Sequence, residues 1–449
     1  QGKPDNDVLL YFPIYDKYSE PGRDLLLHFD GMKPDFNGTP FETTAHTMQE
    51  KGYAFDYISD RQILNLQTAN KKIITGGTSY QTILLPDCKF IKLETFQKLM
   101  ELARNGATII AYKSLPSDVP GYGQLEKNLT GLKNLLNQLN FISTQFDEVR
   151  SASIGKWRFL TDNDFEKLLA AASIRKEIMV DKGLQFNRRK NADGTNFYFI
   201  ANRADKKIED WITLQTKANN AALYNPMTGQ SGVAQSRKDA NGFLEVYIPF
   251  NIDESYIVQT SNKTITGTPY PYIKEKGSPK EITGEWALQF IEGGPSLPIA
   301  TPMSELKPWT DFNADAFKTF SGTASYSTHF KKPAGIASQY LLDLGKVYES
   351  AQVFINGKKV ATLIGPDYTC MISAKDLKDD NLLEIKVSNS MANRIIDLDK
   401  RKVIWKKFNN TNFPARLPQN RGADGLFNAS KWEPRTSGLL GPVTLTAVE

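Results

Sequence analysis

The chain has 449 residues, 40% of them hydrophobic, which at roughly 150 residues per domain suggests about three domains with buried cores. Its 55 basic and 50 acidic residues leave a net charge of only +5. Both signs are interspersed, which argues against a nucleic-acid binder with its clustered basic surface.

The first region alternates strand and helix patterns. Asp7-Val-Leu-Leu-Tyr-Phe-Pro-Ile14 is a near-continuous apolar run, as expected for a strand covered on both faces. Thr43–Lys51 has helical character and Gly52 suits its end. Short strands follow at Phe55–Ile58, Gln81–Pro86 and Ala107–Tyr112. Helices are expected over Leu93–Asn105, with Phe96, Leu99, Met100 and Ala103 on one face, and over Leu125–Leu139. Strands alternating with helices imply a parallel α/β sheet over residues 1–148.

Residues 149–262 change character. Asn196–Asn202 and Phe243–Pro249 are strand-like, Asn191–Gly194 and Asn225–Gly229 are turns, and a helix is expected within Asp162–Ala172. This pattern suggests an antiparallel β-sandwich. Residues 263–283, rich in Thr, Pro, Gly and Lys, read as a linker with room for an edge strand. From residue 284 to 449 the pattern is all-β. Ala324–Phe330 alternates with period two, and Asn356-Gly357 between short runs fits a type I′ hairpin turn, whose two central residues need positive φ. The expected class is therefore multidomain α/β plus all-β.

Arg188-Arg189-Lys190, the densest basic cluster, reads as a solvated loop. Cys88 and Cys370 are too few for a disulfide scaffold and read as buried free thiols. His28, His46 and His329 lack metal-ligand spacing. No apolar run reaches the ~20 residues that span a bilayer. The chain starts at Gln1 without initiator methionine or signal peptide, as expected after processing or from inside a longer protein.

Several motifs occur together in one family. They are Lys3-Pro-Asp-Asn-Asp-Val-Leu-Leu-Tyr-Phe-Pro-Ile-Tyr15, Phe55-Asp-Tyr-Ile-Ser-Asp60, Asn225-Pro-Met-Thr-Gly229, Phe320-Ser-Gly-Thr-Ala-Ser-Tyr326, Asn389-Ser-Met-Ala-Asn-Arg394 and Ser437-Gly-Leu-Leu-Gly-Pro-Val443. In this order the chain resembles the C-terminal part of the α-L-rhamnosidases of glycoside hydrolase family 106. Its third region also resembles the sugar-binding jelly roll of family 2 hydrolases, a galactose-binding-like fold. The first region resembles flavodoxin-like domains, among them glutamine amidotransferases and β-galactosidase trimerisation domains.

The family resemblance implies inverting hydrolysis of α-L-rhamnose from plant polysaccharide, calcium in the active site, and catalytic carboxylates in a preceding (β/α)8 barrel. A barrel needs about 250 residues, and the first region has too few strand–helix units, so no catalytic residue is carried over. The expected partners are an oligo- or polysaccharide and an upstream barrel of the same polypeptide, with no cofactor in this segment. The expected location is bacterial and periplasmic, cell-surface or secreted.

Glycoside hydrolysis needs two facing carboxyl groups. Asp56 and Asp60 flank a strand end, where α/β sheets place ligands. They are candidates for an interface with the barrel, against ordinary turn or cap roles. An amidotransferase nucleophile is missing: Lys113-Ser114-Leu115 follows its strand, and Cys88 lacks the strand–helix elbow. Tyr15-Asp-Lys-Tyr-Ser-Glu-Pro-Gly22 has one glycine, which disfavours phosphate binding.

The segment between Asn393 and Gly438 carries Trp405, Phe408, Phe413, Arg416, Asn420, Arg421, Asp424, Trp432 and Arg435. Sugars stack on aromatic rings and hydrogen-bond to Asn, Asp and Arg, so Asn393, Arg394, Trp405, Arg421, Asp424, Trp432 and Arg435 are carbohydrate-binding candidates. The alternative is that these aromatics fold the loop onto the sandwich, with Asn393 bonding to backbone. Two other functions stay open: a free-standing carbohydrate-binding protein, and an autonomous hydrolase whose carboxylates are not identified.

Overall fold

The computed structural model describes residues 2–19, 36–143, 149–154, 157–274, 277–335, 337–405 and 417–448. The chain divides into two compact units, Gln1–Pro271 and Tyr272–Glu449. The division falls within the stretch read as a linker.

The first unit holds a seven-stranded sheet. Its order is Phe55–Ile58, Val8–Tyr11, Thr82–Leu85, Thr108–Tyr112, Trp157–Asp162, Arg150–Ile154, Phe141–Ser143. The first five run parallel, and the last two are joined on by antiparallel pairings, so Arg150–Ile154 alone runs against the rest. Alternation explains the continuous apolar runs. Val8, Leu10, Leu84, Ile110 and Leu160 face a layer with Phe41, Met48, Leu168 and Leu169. Leu9, Tyr11, Ile83, Leu85 and Ile109 face Phe96, Leu99, Met100 and Leu132. Both faces are covered, so no strand position is left polar by default.

The helix expected from Thr43 starts earlier, at Pro40, and ends at Glu50. Thr39 is its N-cap, its hydroxyl accepting the Glu42 N–H at 3.3 Å, and Pro40 occupies the first turn, where its missing N–H is harmless. Phe165–Ala171 is helical, with the Asp164 carboxylate accepting the Lys167 N–H at 3.0 Å.

Residues 150–162 were expected in the sandwich. They belong to the α/β sheet instead, with Phe159 opposite Ile109. A short alternating strand looks the same in either place, because its partner is not written in its own residues.

The rest of the unit is antiparallel. One sheet orders Lys3–Pro4, Leu184–Lys190, Asn196–Asn202, Ser255–Ser261, Asn220–Tyr224 and Ser231–Val233. Another pairs Ile208–Leu214 and Ser236–Lys238 with Leu244–Phe250. Arg188-Arg189-Lys190 is not a solvated loop. It closes the Leu184–Lys190 strand, and Arg188 is 1% exposed. Its guanidinium meets Asp7 Oδ2 at 2.8 Å and Glu177 Oε1 at 2.8 Å. Arg175 adds contacts to Asp7 at 3.0 Å and Asp5 at 3.3 Å. Opposite charges take Arg188 inside while Arg189 and Lys190 stay exposed, which charge-run reasoning does not see.

The second unit is all-β apart from short helices. A six-stranded antiparallel sheet orders Thr301–Met303, Trp286–Gly294, Ser321–Lys331, Asp380–Ser388, Ser350–Ile355 and Lys358–Ile364. A four-stranded sheet orders Lys280–Glu281, Thr444–Val448, Gln339–Asp343 and Thr369–Ser373. Their apolar faces share one core with Trp286, Phe290, Trp309, Phe320, Tyr326, Leu342, Ile385 and Leu445. Lys280–Glu281 is the edge strand for which the linker left room.

The hairpin turn has the expected form: Asn356 and Gly357 have φ of 51° and 80°. Asn356 also accepts the Leu382 N–H at 3.0 Å and donates to Asn381 Oδ1 at 3.0 Å, locking the turn to the neighbouring strand.

Candidate functional site

Three of the quoted motifs meet in the second unit as one hydrogen-bonded knot. Asn389 accepts the Gly322 N–H at 2.9 Å and donates to Phe320 O and Ser437 Oγ, both at 3.0 Å. Asn393 accepts the Arg435 N–H at 2.7 Å and donates to Arg435 O at 2.9 Å and Ser437 Oγ at 3.2 Å. The Arg394 N–H reaches Ser321 Oγ at 3.1 Å. The co-occurrence of these motifs therefore has a structural cause.

Asn393, a candidate ligand for sugar, is 2% exposed and its amide is committed to backbone. It is a clamp, because a buried amide must satisfy both its ends. Arg394 is turned to its own helix, Ala392–Lys400, and meets Asp397 at 2.6 Å, with Arg401 on the same carboxylate at 2.7 Å.

The clamp holds a small lobe. Asp399, buried at the end of that helix, accepts the Trp405 indole N–H at 2.7 Å and the Ala429 N–H at 2.8 Å. The Trp432 indole N–H donates to Asn420 Oδ1 at 3.0 Å, and the Asn428 N–H to Asn420 O at 2.9 Å. Phe427 meets Trp432 edge-on, ring centres 5.3 Å apart, and the Arg435 guanidinium lies 5.5 Å from the Trp432 ring centre. Arg421 and Asp424 are exposed on a turn in which Asp424 accepts the Leu426 N–H at 3.0 Å.

Trp432 and Arg435 thus form one stacked pair, and Asp399 ties Trp405 to the same lobe. Asp399 and Phe427 were missed from sequence, since nothing local marks an Asp at a helix end as a bridge to residue 429. Phe408, Phe413 and Arg416 lie outside the described residues. An aromatic ring beside a guanidinium is suited to a pyranose, whose C–H face stacks while its hydroxyls accept from Arg.

In the first unit, Asp56 accepts the Tyr80 hydroxyl at 2.7 Å. Asp60, 7% exposed, accepts Tyr11 at 3.0 Å and Thr95 at 2.7 Å. Burial first, then the Asp60 charge, pushes the Tyr11 hydroxyl far above its usual range, so it stays a donor. Asp60 braces the carboxyl end of the parallel sheet, whereas Asp56 ties the amino half of its strand to Tyr80, just ahead of the Thr82–Leu85 strand.

Ser114 donates to Asp87 at 2.6 Å. Burial, followed by Asp16, Asp87 and Asp60, pushes the Cys88 thiol well up, the reverse of a reactive thiolate. Among the described residues no group of three or more His, Cys, Asp or Glu is placed to hold a metal ion. No helix among them is long and apolar enough to cross a membrane.

Residues 26–237 match the family described as alpha-L-rhamnosidase, glycoside hydrolase family 106. The fold resembles the rhamnosidase from Novosphingobium sp. PP1Y at a TM-score of 0.70 and 22% identity, covering 100% of this chain and 39% of that one. A "Putative beta-glucuronidase" of Formosa agariphila is 29% identical over 262 residues, which are 53% of this chain and 21% of that protein. The β-galactosidase Gan42B of G. stearothermophilus gives a TM-score of 0.35 at 12% identity over 57% of this chain and 40% of that one, too low to carry weight. The chain therefore spans well under half the length of the proteins it matches. It is a glycoside hydrolase-related protein. Residues 26–237 are thus similar in sequence to the α-L-rhamnosidases of glycoside hydrolase family 106, and the whole chain is similar in fold to a rhamnosidase.

Proposed function

We propose that this chain is the accessory, non-barrel portion of an α-L-rhamnosidase-like glycoside hydrolase acting on rhamnose-containing plant polysaccharide. In this reading the parallel sheet belongs to a flavodoxin-like domain, followed by a β-sandwich and a galactose-binding-like jelly roll. The parent enzyme is bacterial and exported to the periplasm or cell surface. Its inverting carboxylates and its calcium lie in a barrel of the same polypeptide, and this portion buttresses that barrel.

One observation carries the proposal. The only parallel sheet among the described residues is open, with five parallel strands and antiparallel pairings at one edge, whereas the barrel that houses such chemistry closes on about eight. In addition, Asp56 and Asp60 are occupied as braces.

The test is incubation of the purified chain with an aryl α-L-rhamnoside and a rhamnose-containing pectic oligosaccharide, with calcium present. No release of sugar is expected. Turnover abolished by replacing an acidic residue of this chain would overturn the proposal in favour of an autonomous hydrolase. A second reading, a free-standing carbohydrate-binding protein, is favoured by the Trp432–Arg435 pair. A coding sequence that lacks a barrel upstream of Gln1 would decide for it.

A further inference from the structure

The parallel strands have the spatial order second, first, third, fourth, fifth in chain sequence. The chain therefore leaves the first strand, Val8–Tyr11, toward one edge and later returns to place Thr82–Leu85 on its other side. Where strand order reverses in this way, the loops leaving the carboxyl ends of the two central strands part and open a crevice. Such a cleft is present, with a volume of about 1130 Å3. Tyr15 and Tyr18, after the first strand, line it on one side and Phe90, after the third, on another, while Tyr122 comes from the loop after the fourth. Glu94 and Gln97, at the start of the Leu93–Arg104 helix, also line it. All lie in the first unit.

The walls are tied together. The Asp16 carboxylate accepts the Lys89 N–H at 2.8 Å and the Phe90 N–H at 2.7 Å, joining the first two loops. The Ile91 N–H to Asp118 O bond at 3.0 Å joins the third. Below them Asp60 holds Tyr11 and Thr95. A cleft held in shape before its ligand arrives loses less entropy on binding.

Its chemistry selects a ligand class. Tyr18 is 71% and Tyr122 95% exposed, so neither ring is explained by packing. The lining charges are Lys92 and Lys127 against Glu94 and Asp118, which cancel. They are also locally paired: Lys92 with Glu94 at 3.5 Å, and Lys89 with Asp118 at 3.5 Å. Lys92 is further engaged with the Tyr15 ring at 5.6 Å. A nucleotide or phosphate needs a surplus of positive charge or a glycine-rich loop, and residues 12–19 contain no glycine. Exposed tyrosine faces beside carboxylate and amide acceptors suit a neutral sugar.

We propose that this cleft binds a neutral oligosaccharide, stacked on Tyr18 and Tyr122 and hydrogen-bonded by Glu94 and Gln97. It is a glycan site additional to the Trp432–Arg435 lobe of the second unit. The inference rests on the carbohydrate assignment above, but not on where catalysis occurs.

The experiment is hydrogen exchange of the full chain, followed by mass spectrometry, during titration with a neutral rhamnose-terminated oligosaccharide. Inorganic pyrophosphate and a galacturonate oligomer are run in parallel. Protection of residues 12–19 and 89–97 by the neutral sugar is expected. The double variant Tyr18→Ala, Tyr122→Ala should weaken it at least about tenfold, given the usual cost of losing a stacked aromatic. Trp432→Ala should leave it unchanged while abolishing protection of residues 417–435. Protection at 417–435 alone would overturn the cleft proposal and leave the carbohydrate reading standing. No protection at either place would overturn both. Tighter binding of pyrophosphate or the galacturonate oligomer at 89–97 would overturn the neutral-ligand assignment. Rhamnose release is scored separately and moves none of these outcomes.

Discussion

Arg188 and Asp7 lie 181 residues apart in the chain, yet their side chains meet at 2.8 Å in the interior of the first unit. Asp7 leads into the first parallel strand and Arg188 sits in an antiparallel strand, so the contact joins the two kinds of sheet. Glu177, fully buried, completes the set.

Removing this cation should therefore be costly. Arg188→Ala is expected to destabilise the first unit by about 3–5 kcal/mol, because a buried carboxylate loses its partner. Urea unfolding of variant and parent checks it. The loss should also grow with pH. Burial already raises Glu177 above its ordinary value even though Arg188 opposes this. Without Arg188 the folded state holds the Glu177 proton still more firmly than the unfolded chain does. Stability then falls as pH rises above the ordinary carboxylate range, so the deficit at pH 8 should exceed that at pH 5.

Asn393→Ala tests the clamp. It removes the acceptor of the Arg435 N–H and one of the two donors to the Arg435 carbonyl, which keeps the Ser437 hydroxyl at 3.0 Å, at a cost of about 1–3 kcal/mol for an unsatisfied group. The second unit should melt earlier, and protease should cut within residues 417–436 faster than in the parent.

Trp432→Ala and Arg435→Ala test the lobe. Arg435→Ala removes half of a stacked pair worth about 0.5–1 kcal/mol at an exposed site, so its midpoint of unfolding should barely move, whereas Trp432→Ala also removes the Asn420 hydrogen bond and the Phe427 contact and should cost about 1–3 kcal/mol. Affinity for a rhamnose-containing oligosaccharide, measured by calorimetry, should fall at least about tenfold if these side chains touch the ligand. An unchanged affinity would remove the lobe from consideration.

The thiols give a pH prediction. Burial pushes Cys370 from 9.0 up to about 12. Between those values the folded protein keeps a proton that the unfolded chain has released, so this group's contribution to stability falls as pH rises through that window. Cys370→Ala should flatten the alkaline limb of a stability–pH curve. A thiol reagent at pH 8 should label Cys88 and Cys370 slowly in the native protein and fast in guanidinium.

Most strands and helices were legible because their signals are local. Val8–Tyr11 announces itself by an unbroken apolar run, Phe55–Ile58 by its bounds, and the Asn356-Gly357 turn by the residues that tolerate positive φ. What escaped depends on partners far along the chain. Residues 150–162 look like any short strand until Thr108–Tyr112 is beside them. Arg188 looks solvated until Asp7 and Glu177 arrive. In the candidate lobe, composition pointed to Trp432 and Arg435, which do stack. It could not separate them from Asn393, whose role is set by burial. Tyr15 and Tyr18 were read only as part of a loop with one glycine, and Tyr122 was not singled out, because their convergence follows from strand order.

The short Lys3–Pro4 strand lies against Arg189 and Lys190. The whole α/β layer is thus enclosed between two neighbours in one antiparallel sheet. On a ribosome adding about 5–20 residues per second, Lys3 must wait roughly 10–40 s for its partner to be made. Throughout that interval the edge it will pair with does not exist, and the α/β layer must form without its sandwich.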